Sequence, residues 1–146
     1  MTLIQILNGA KQVTNFPDGL AVWCDRRSAL GNPFELCGES SRIDVCDAYE
    51  IYFDEVVHRW GSPADVAHEM VSSGGWFVSF AKSWRRPIRG EFMTELKRLE
   101  LLAKDGSLGL GCWCHPKRCH CDTIAAYLRG KLGVTDGHVV TQGSLF

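Results

Sequence analysis

Apolar positions along this chain follow two periods, one of two residues and one between three and four. Residues 3–7 (LIQIL) and 20–24 (LAVWC) are short apolar runs bounded by turn formers, and both read as strands. Asn15, Pro17, Asp18 and Gly19 supply the turn between them. RRSALGNPF then reads as a loop, with Asn32 kept from helical angles by the proline that follows it. The clearest helical stripe is Val45, Tyr49, Tyr52, Val56 and Trp60, with Ser41 as its cap and Asp44 as the partner in a capping box. Ser62 and Pro63 open a second helix that Gly74 and Gly75 end. WFVSFAKSW fits strand or helix equally. A further helix spans about 89–104, with Phe92, Leu96, Leu99 and Ala103 on one face and Gly106 as its stop. SLGLGCWC is a third strand, and CDTIAAYLRGKLG a final helix with Ile124, Tyr127 and Leu128 inward.

Strands separated by helices predict an α/β fold: a small, partly parallel sheet flanked by helices, in a single compact domain over residues 1–133. Residues 134–146 lack helical periodicity and read as a loosely attached tail.

Composition adds limits. With 45% hydrophobic and 23% charged residues in 146, the chain can build a core and is not of disordered type. A net charge of −1 gives polyanions no global attraction, so contact with nucleic acid needs a local patch. No apolar run is long enough for a membrane span, and no signal-peptide pattern opens the chain; the expected location is the cytoplasm. In that compartment seven cysteines point to thiols, metal ligands or catalysis rather than disulfides. Cys24, Cys37 and Cys46 are scattered and read as small buried hydrophobes. Cys112, Cys114, Cys119 and Cys121 are clustered in GCWCHPKRCHCD.

That cluster sits at a strand-to-helix turn, where α/β domains gather their ligands. Cys112 and Cys114 are two apart on a strand and share a face, while Trp113 points the other way into packing. Three readings remain open. Zinc can be held by three or four of Cys112, Cys114, Cys119, His120 and Cys121, although the one-residue gaps differ from those of common zinc knuckles. A helix-start thiolate, best Cys119, can act as nucleophile or redox group, with His120 or His115 beside it and Asp122 near. Alternatively, the segment is a packed turn in which Asp122 only caps the helix.

The two motifs, Arg26 with Gly31-Asn32-Pro33-Phe34 followed by Arg42, and Cys112-Trp113-Cys114, Pro116 and Cys119-His120 with Asp122, resemble the domain-of-unknown-function 4326 family of phage and bacterial proteins. The resemblance covers about residues 20–130. One departure is Cys121, which stands where the family pattern has glycine. The resemblance implies a compact α/β domain with both motifs at one site, and supplies no reaction. An arginine pair, Arg26 and Arg42, beside a helix start suits a phosphate, and the Asn32 amide suits a base or sugar edge, so a nucleotide or nucleic-acid ligand is one reading; the other is that Arg42 is a solvated helix-start residue and GNPF, Asn32 included, only a rigid turn. Lys82, Arg85, Arg86 and Arg89 beside Phe80 and Trp84 can track a nucleic-acid strand or form a solvated loop. There is no phosphate loop, no GxSxG and no paired-carboxylate signature. The segment QGSLF resembles the peptide by which bacterial polymerases and repair proteins dock on the DNA sliding clamp, through Gln142, Leu145 and Phe146. An adaptor that binds the clamp is therefore the alternative to a metal- or thiol-dependent protein acting on nucleotides.

Overall fold

The computed structural model describes residues 4–17, 19–38, 41–73, 76, 78–113 and 117–133. Three strands form one sheet: β1 (Ile4–Asn8), β2 (Gly19–Trp23) and β3 (Ser107–Cys112). Their order is β1-β3-β2, and both pairings are parallel, with Ile6 opposite Leu110 and Trp23 opposite Gly111. The central strand is contributed last in sequence. Its pattern SLGLGC puts Leu108, Leu110 and Cys112 on the core face, each at most 2% exposed. Gly109 and Gly111 take the other face, where bulk is excluded. A Cβ on Gly109 would stand 2.4 Å from Leu7 Cδ1, and one on Gly111 2.6 Å from Val13 Cγ2.

Val13 belongs to α1 (Gly9–Thr14), a helix that the hydrophobic pattern does not reveal. Parallel strands cannot be joined by a tight turn, so the link from β1 to β2 must run back along the sheet, and α1 is part of that return. The other helices are α2 (Arg42–His58), α3 (Pro63–Ser72), α4 (Arg89–Asp105) and α5 (His120–Leu132). Tyr49, Tyr52 and Val56 of α2, Phe92, Leu96 and Leu99 of α4, and Ile124 and Leu128 of α5 close the core. No helix among the described residues is long and apolar enough to cross a membrane.

Three local expectations need correcting. Ser41 does not cap α2: its Oγ accepts the Cys37 N–H at 2.9 Å and donates to the Gly38 carbonyl at 3.0 Å, so the box with Asp44 is not made. Trp60 does not continue the α2 stripe. It lies past the helix end at φ +61°, 77% exposed, with the Arg89 guanidinium 4.2 Å over its ring. Residues 78–81 are neither a named strand nor a helix; they lie extended against the GNPF loop, joined by Glu35 N–H to Ser79 O and Ala81 N–H to Pro33 O. Of the scattered cysteines, Cys24 and Cys46 are buried and Cys37 is exposed. Gly74, Gly75 and residues 134–146 lie outside the described residues, as do Cys114, His115 and Pro116.

Candidate functional site: a thiol cluster beside an arginine-lined cavity

The carboxyl ends of β2 and β3 lie side by side, joined by the Cys24 N–H to the Gly111 carbonyl at 3.0 Å. Cys112 ends β3 on its core face. Cys119 is the N-cap of α5, and Cys121 stands in the first turn. The sulfurs of Cys112, Cys119 and Cys121 all lie within 4.8 Å of one another, with Cys112 and Cys119 at 3.5 Å, and all three residues are buried. Sulfurs on a tetrahedral zinc at about 2.3 Å stand about 3.8 Å apart. The group therefore has the donor type and spacing to hold a metal ion. Cys121 is part of it. Cys24 adds a fourth thiol against Cys121; the sequence offered no signal for this, because the pairing of β2 with β3 is not written in local pattern.

Cys119 and Cys121 are held protonated by their neighbours. Hydrogen bonding with Cys112, aided by burial, pushes the Cys119 thiol well up. Contacts with Cys112, Cys119 and Cys24, and then burial, push Cys121 up as well. Cys119 and Cys121 therefore keep their protons unless a cation takes their place, which opposes the reading of Cys119 as a helix-start thiolate acting alone.

His120 does not join the three sulfurs. Its Nε2 faces the Cys24 carbonyl and must carry a hydrogen to do so, which leaves Nδ1 as the bare nitrogen. The ring meets Tyr49 edge-on at 5.1 Å, and burial lowers its pKa, with the carbonyl bond working the other way. Asp122 Oδ2 accepts the Cys119 N–H at 3.0 Å, so its carboxylate caps α5.

A cavity of about 550 Å³ opens beside the cluster, with Cys112, Cys119 and His120 on its wall together with Arg26, Asn32 and Arg42. The two separated motifs thus face one space. Arg26 has a structural duty: Nε donates to the Asn32 carbonyl at 3.2 Å and Nη2 to the Phe34 carbonyl at 2.9 Å, folding the GNPF loop around the guanidinium. Two of its five N–H groups are used in this way. Its charge meets no carboxylate among the described residues. Arg42 Nη1 donates to the Arg118 carbonyl at 3.0 Å and ties α2 to the turn before α5. Asn32 is buried, and its Oδ1 accepts the Phe34 N–H at 2.9 Å.

The rim was not foreseen. Trp113 does not pack inward but is 60% exposed, stacked on Trp23 at 4.9 Å. It lies past β3 on the face away from the core, where Trp23 is the neighbour at hand. Its Nε1 donates to Asp25 Oδ2 at 3.4 Å, and Arg27 grips the same carboxylate at 2.6 Å while lying 4.9 Å over Trp23. Burial raises the Asp25 pKa, but the bonds from Arg27 and Trp113 outweigh it and hold the carboxylate below its ordinary value. The basic run is mostly tied down. Arg85 pairs with Glu91 at 2.9 Å, Arg86 lies over Phe80 and Trp84, and Arg89 bonds the carbonyls of Val56 and Val57 at the end of α2.

No curated protein and no solved structure matches the chain. Residues 8–130 match the model of a family described as a domain of unknown function (DUF4326). That span runs from the end of β1 through most of α5 and takes in the cavity and the three thiols, and on it the chain belongs to the DUF4326 family.

Proposed function

We propose that the protein binds a nucleotide or a phosphorylated end of nucleic acid in the cavity, beside a zinc ion held by Cys112, Cys119 and Cys121. The observation that carries this reading is Arg26: a half-buried guanidinium with no carboxylate partner among the described residues, on the wall of a cavity that the thiols also border. A cation so placed favours an anion, and a guanidinium matches phosphate oxygens in geometry. Arg42 adds a second positive charge, and Asn32 a neutral donor. Zinc, held by Cys112, Cys119 and Cys121, would supply a Lewis acid beside the cavity. The chain's own groups bind and orient: Arg26 holds charge, the GNPF loop fixes Arg26, and Asp122 fixes the start of α5.

Calorimetric titration of the zinc-loaded protein with nucleoside mono-, di- and triphosphates tests the reading. Binding in the micromolar to millimolar range is expected, weakened at least about tenfold in Arg26→Gln, since a charge-assisted hydrogen bond is worth about 1.5–3 kcal/mol. No binding at millimolar nucleotide would sink it. A second reading rests on the sequence QGSLF alone, in which Gln142, Leu145 and Phe146 dock on a bacterial sliding clamp.

A further inference from the structure

We infer that the ligand is a single nucleotide rather than a nucleic-acid strand, with its base stacked on Trp113 and an acceptor of its nucleoside bonded by Asn32; the inference rests on the nucleotide reading above.

Trp113 carries the first half. An indole left 60% exposed costs hydrophobic free energy, yet two contacts hold this one. Trp23 backs it at 4.9 Å and 21° between planes, Asp25 takes its Nε1–H, and Arg27 holds both Trp23 and Asp25. It is therefore oriented before any ligand arrives, and it forms part of the cavity wall beside Cys112. A preset aromatic face next to a cationic hollow suits a flat base attached to a phosphate.

Asn32 carries the second half. It is 7% exposed and lines the same cavity. Oδ1 accepts the Phe34 N–H, and this fixes which end of the amide is which: Nδ2 is the end left over. Nδ2 has no partner among the described residues, and it is not among their fully enclosed unpartnered polar atoms, so it keeps some accessible surface on a residue that lines the cavity. It can only donate. Arg26 and Arg42 line the cavity as well and suit charged oxygens, so the neutral amide is left with an uncharged acceptor of the base or sugar.

Size and charge limit the ligand to one unit. About 550 Å³ is ample for a nucleotide. Beyond it, the run from Lys82 to Arg89 offers no continuous basic track, because Arg85, Arg86 and Arg89 are engaged with Glu91, with Phe80 and Trp84, and with α2 carbonyls.

The test compares three probes by calorimetry: nucleoside 5′-monophosphates, ribose 5-phosphate, and a ten-nucleotide single strand. Ribose 5-phosphate should bind about tenfold more weakly than the best monophosphate, the usual effect of losing one stacked base. Trp113→Ala should weaken monophosphates by a similar factor while leaving ribose 5-phosphate unmoved, and Trp113→Phe should restore most of the loss. Asn32→Asp keeps the acceptor for Phe34 and replaces the donor, and should weaken monophosphates about tenfold or more. Equal binding of ribose 5-phosphate and monophosphates, or unchanged affinity in both Trp113→Ala and Asn32→Asp, overturns the inference. Tighter binding of the strand than of any monophosphate also overturns it and leaves the broader reading standing. Failure of all three probes to bind removes both.

Discussion

Loading the protein with zinc and then removing one sulfur by Cys121→Ser tests the cluster directly. The unfolding entropy of a chain of 146 residues is about 0.3 kcal/mol/K. Zinc at a hundred times its dissociation constant stabilises the folded state by about 2.7 kcal/mol, which raises Tm by about 9 °C. The pH dependence is set by the thiols. Cys119 and Cys121 are both pushed above their ordinary values, so both are protonated at neutral pH and both must lose a proton to become ligands. Affinity should therefore rise by at least about a hundredfold per unit between about pH 6 and pH 8, and fall as acid returns the protons. In Cys121→Ser the slope should drop to about tenfold per unit, with the Tm rise reduced. Thermal unfolding across pH, with calcium and magnesium as controls, measures both quantities. A slope of zero, an equal rise with calcium or magnesium, or a Cys121→Ser protein indistinguishable from the parent would refute metal binding by these sulfurs. Cys121→Gly, which also removes the sulfur, should behave as the serine variant does if Cys121 is a ligand.

Two further outcomes follow from the structure and one from the sequence. A Cβ on Gly31 would stand 2.7 Å from both Arg26 Cα and the Asp25 carbonyl, which are backbone atoms that cannot swing aside, so Gly31→Ala should destabilise by about 1–3 kcal/mol in denaturant unfolding; unchanged stability would mean that the loop is not packed as described. Asp25 is held below its ordinary value of 3.8, so its contribution is complete above that value and is lost as pH falls through the lower folded value; near-ultraviolet circular dichroism of the Trp23–Trp113 pair should weaken in that acid window, and Asp25→Asn should show the weakened signal at all pH. Two buried apolar anchors are worth roughly 3–6 kcal/mol before ordering costs, so a bacterial sliding clamp should bind the intact protein with micromolar-class affinity and lose it when Leu145 and Phe146 become Ala; no binding by the intact protein removes the adaptor reading.

The elements with strong local signals were legible. The strands expected over 3–7, 20–24 and 107–114 correspond to Ile4–Asn8, Gly19–Trp23 and Ser107–Cys112, and the stripe through Val45 and Val56, the helix opened by Pro63, the one over about 89–104 and the one in CDTIAAYLRGKLG correspond to Arg42–His58, Pro63–Ser72, Arg89–Asp105 and His120–Leu132. The all-parallel order β1-β3-β2 was not, since pairing joins residues about a hundred positions apart. Helix α1 escaped because six residues give no period, and its need comes only from the parallel return. The same reasoning explains the site. Cys112, Cys119 and Cys121 were legible as a group because they lie within ten residues of each other. Cys24 was not, because it reaches them only through the β2–β3 pairing that sets Trp23 opposite Gly111. Trp113 was misplaced because alternation tells which face a residue takes, and not whether anything covers that face.

One residue explains why the two motifs need each other. Arg26 spends two N–H groups on the carbonyls of Asn32 and Phe34, and that loop is held in turn by residues 79–81 and by the Tyr49 hydroxyl, which donates to the Leu30 carbonyl at 2.7 Å. Tyr49 is also the ring against which His120 rests, next to the N-cap cysteine of α5. A chain of contacts therefore runs from the arginine loop through the core of α2 to the start of α5. A change that loosens the loop should shift both the cationic wall of the cavity and the sulfurs beside it. The reverse also holds: an ion that draws Cys112, Cys119 and Cys121 together fixes the start of α5, and through His120 and Tyr49 it stiffens the loop that presents Arg26 and Asn32. Metal and anion would thus favour the same arrangement of one sheet edge, and each should bind more tightly in the presence of the other.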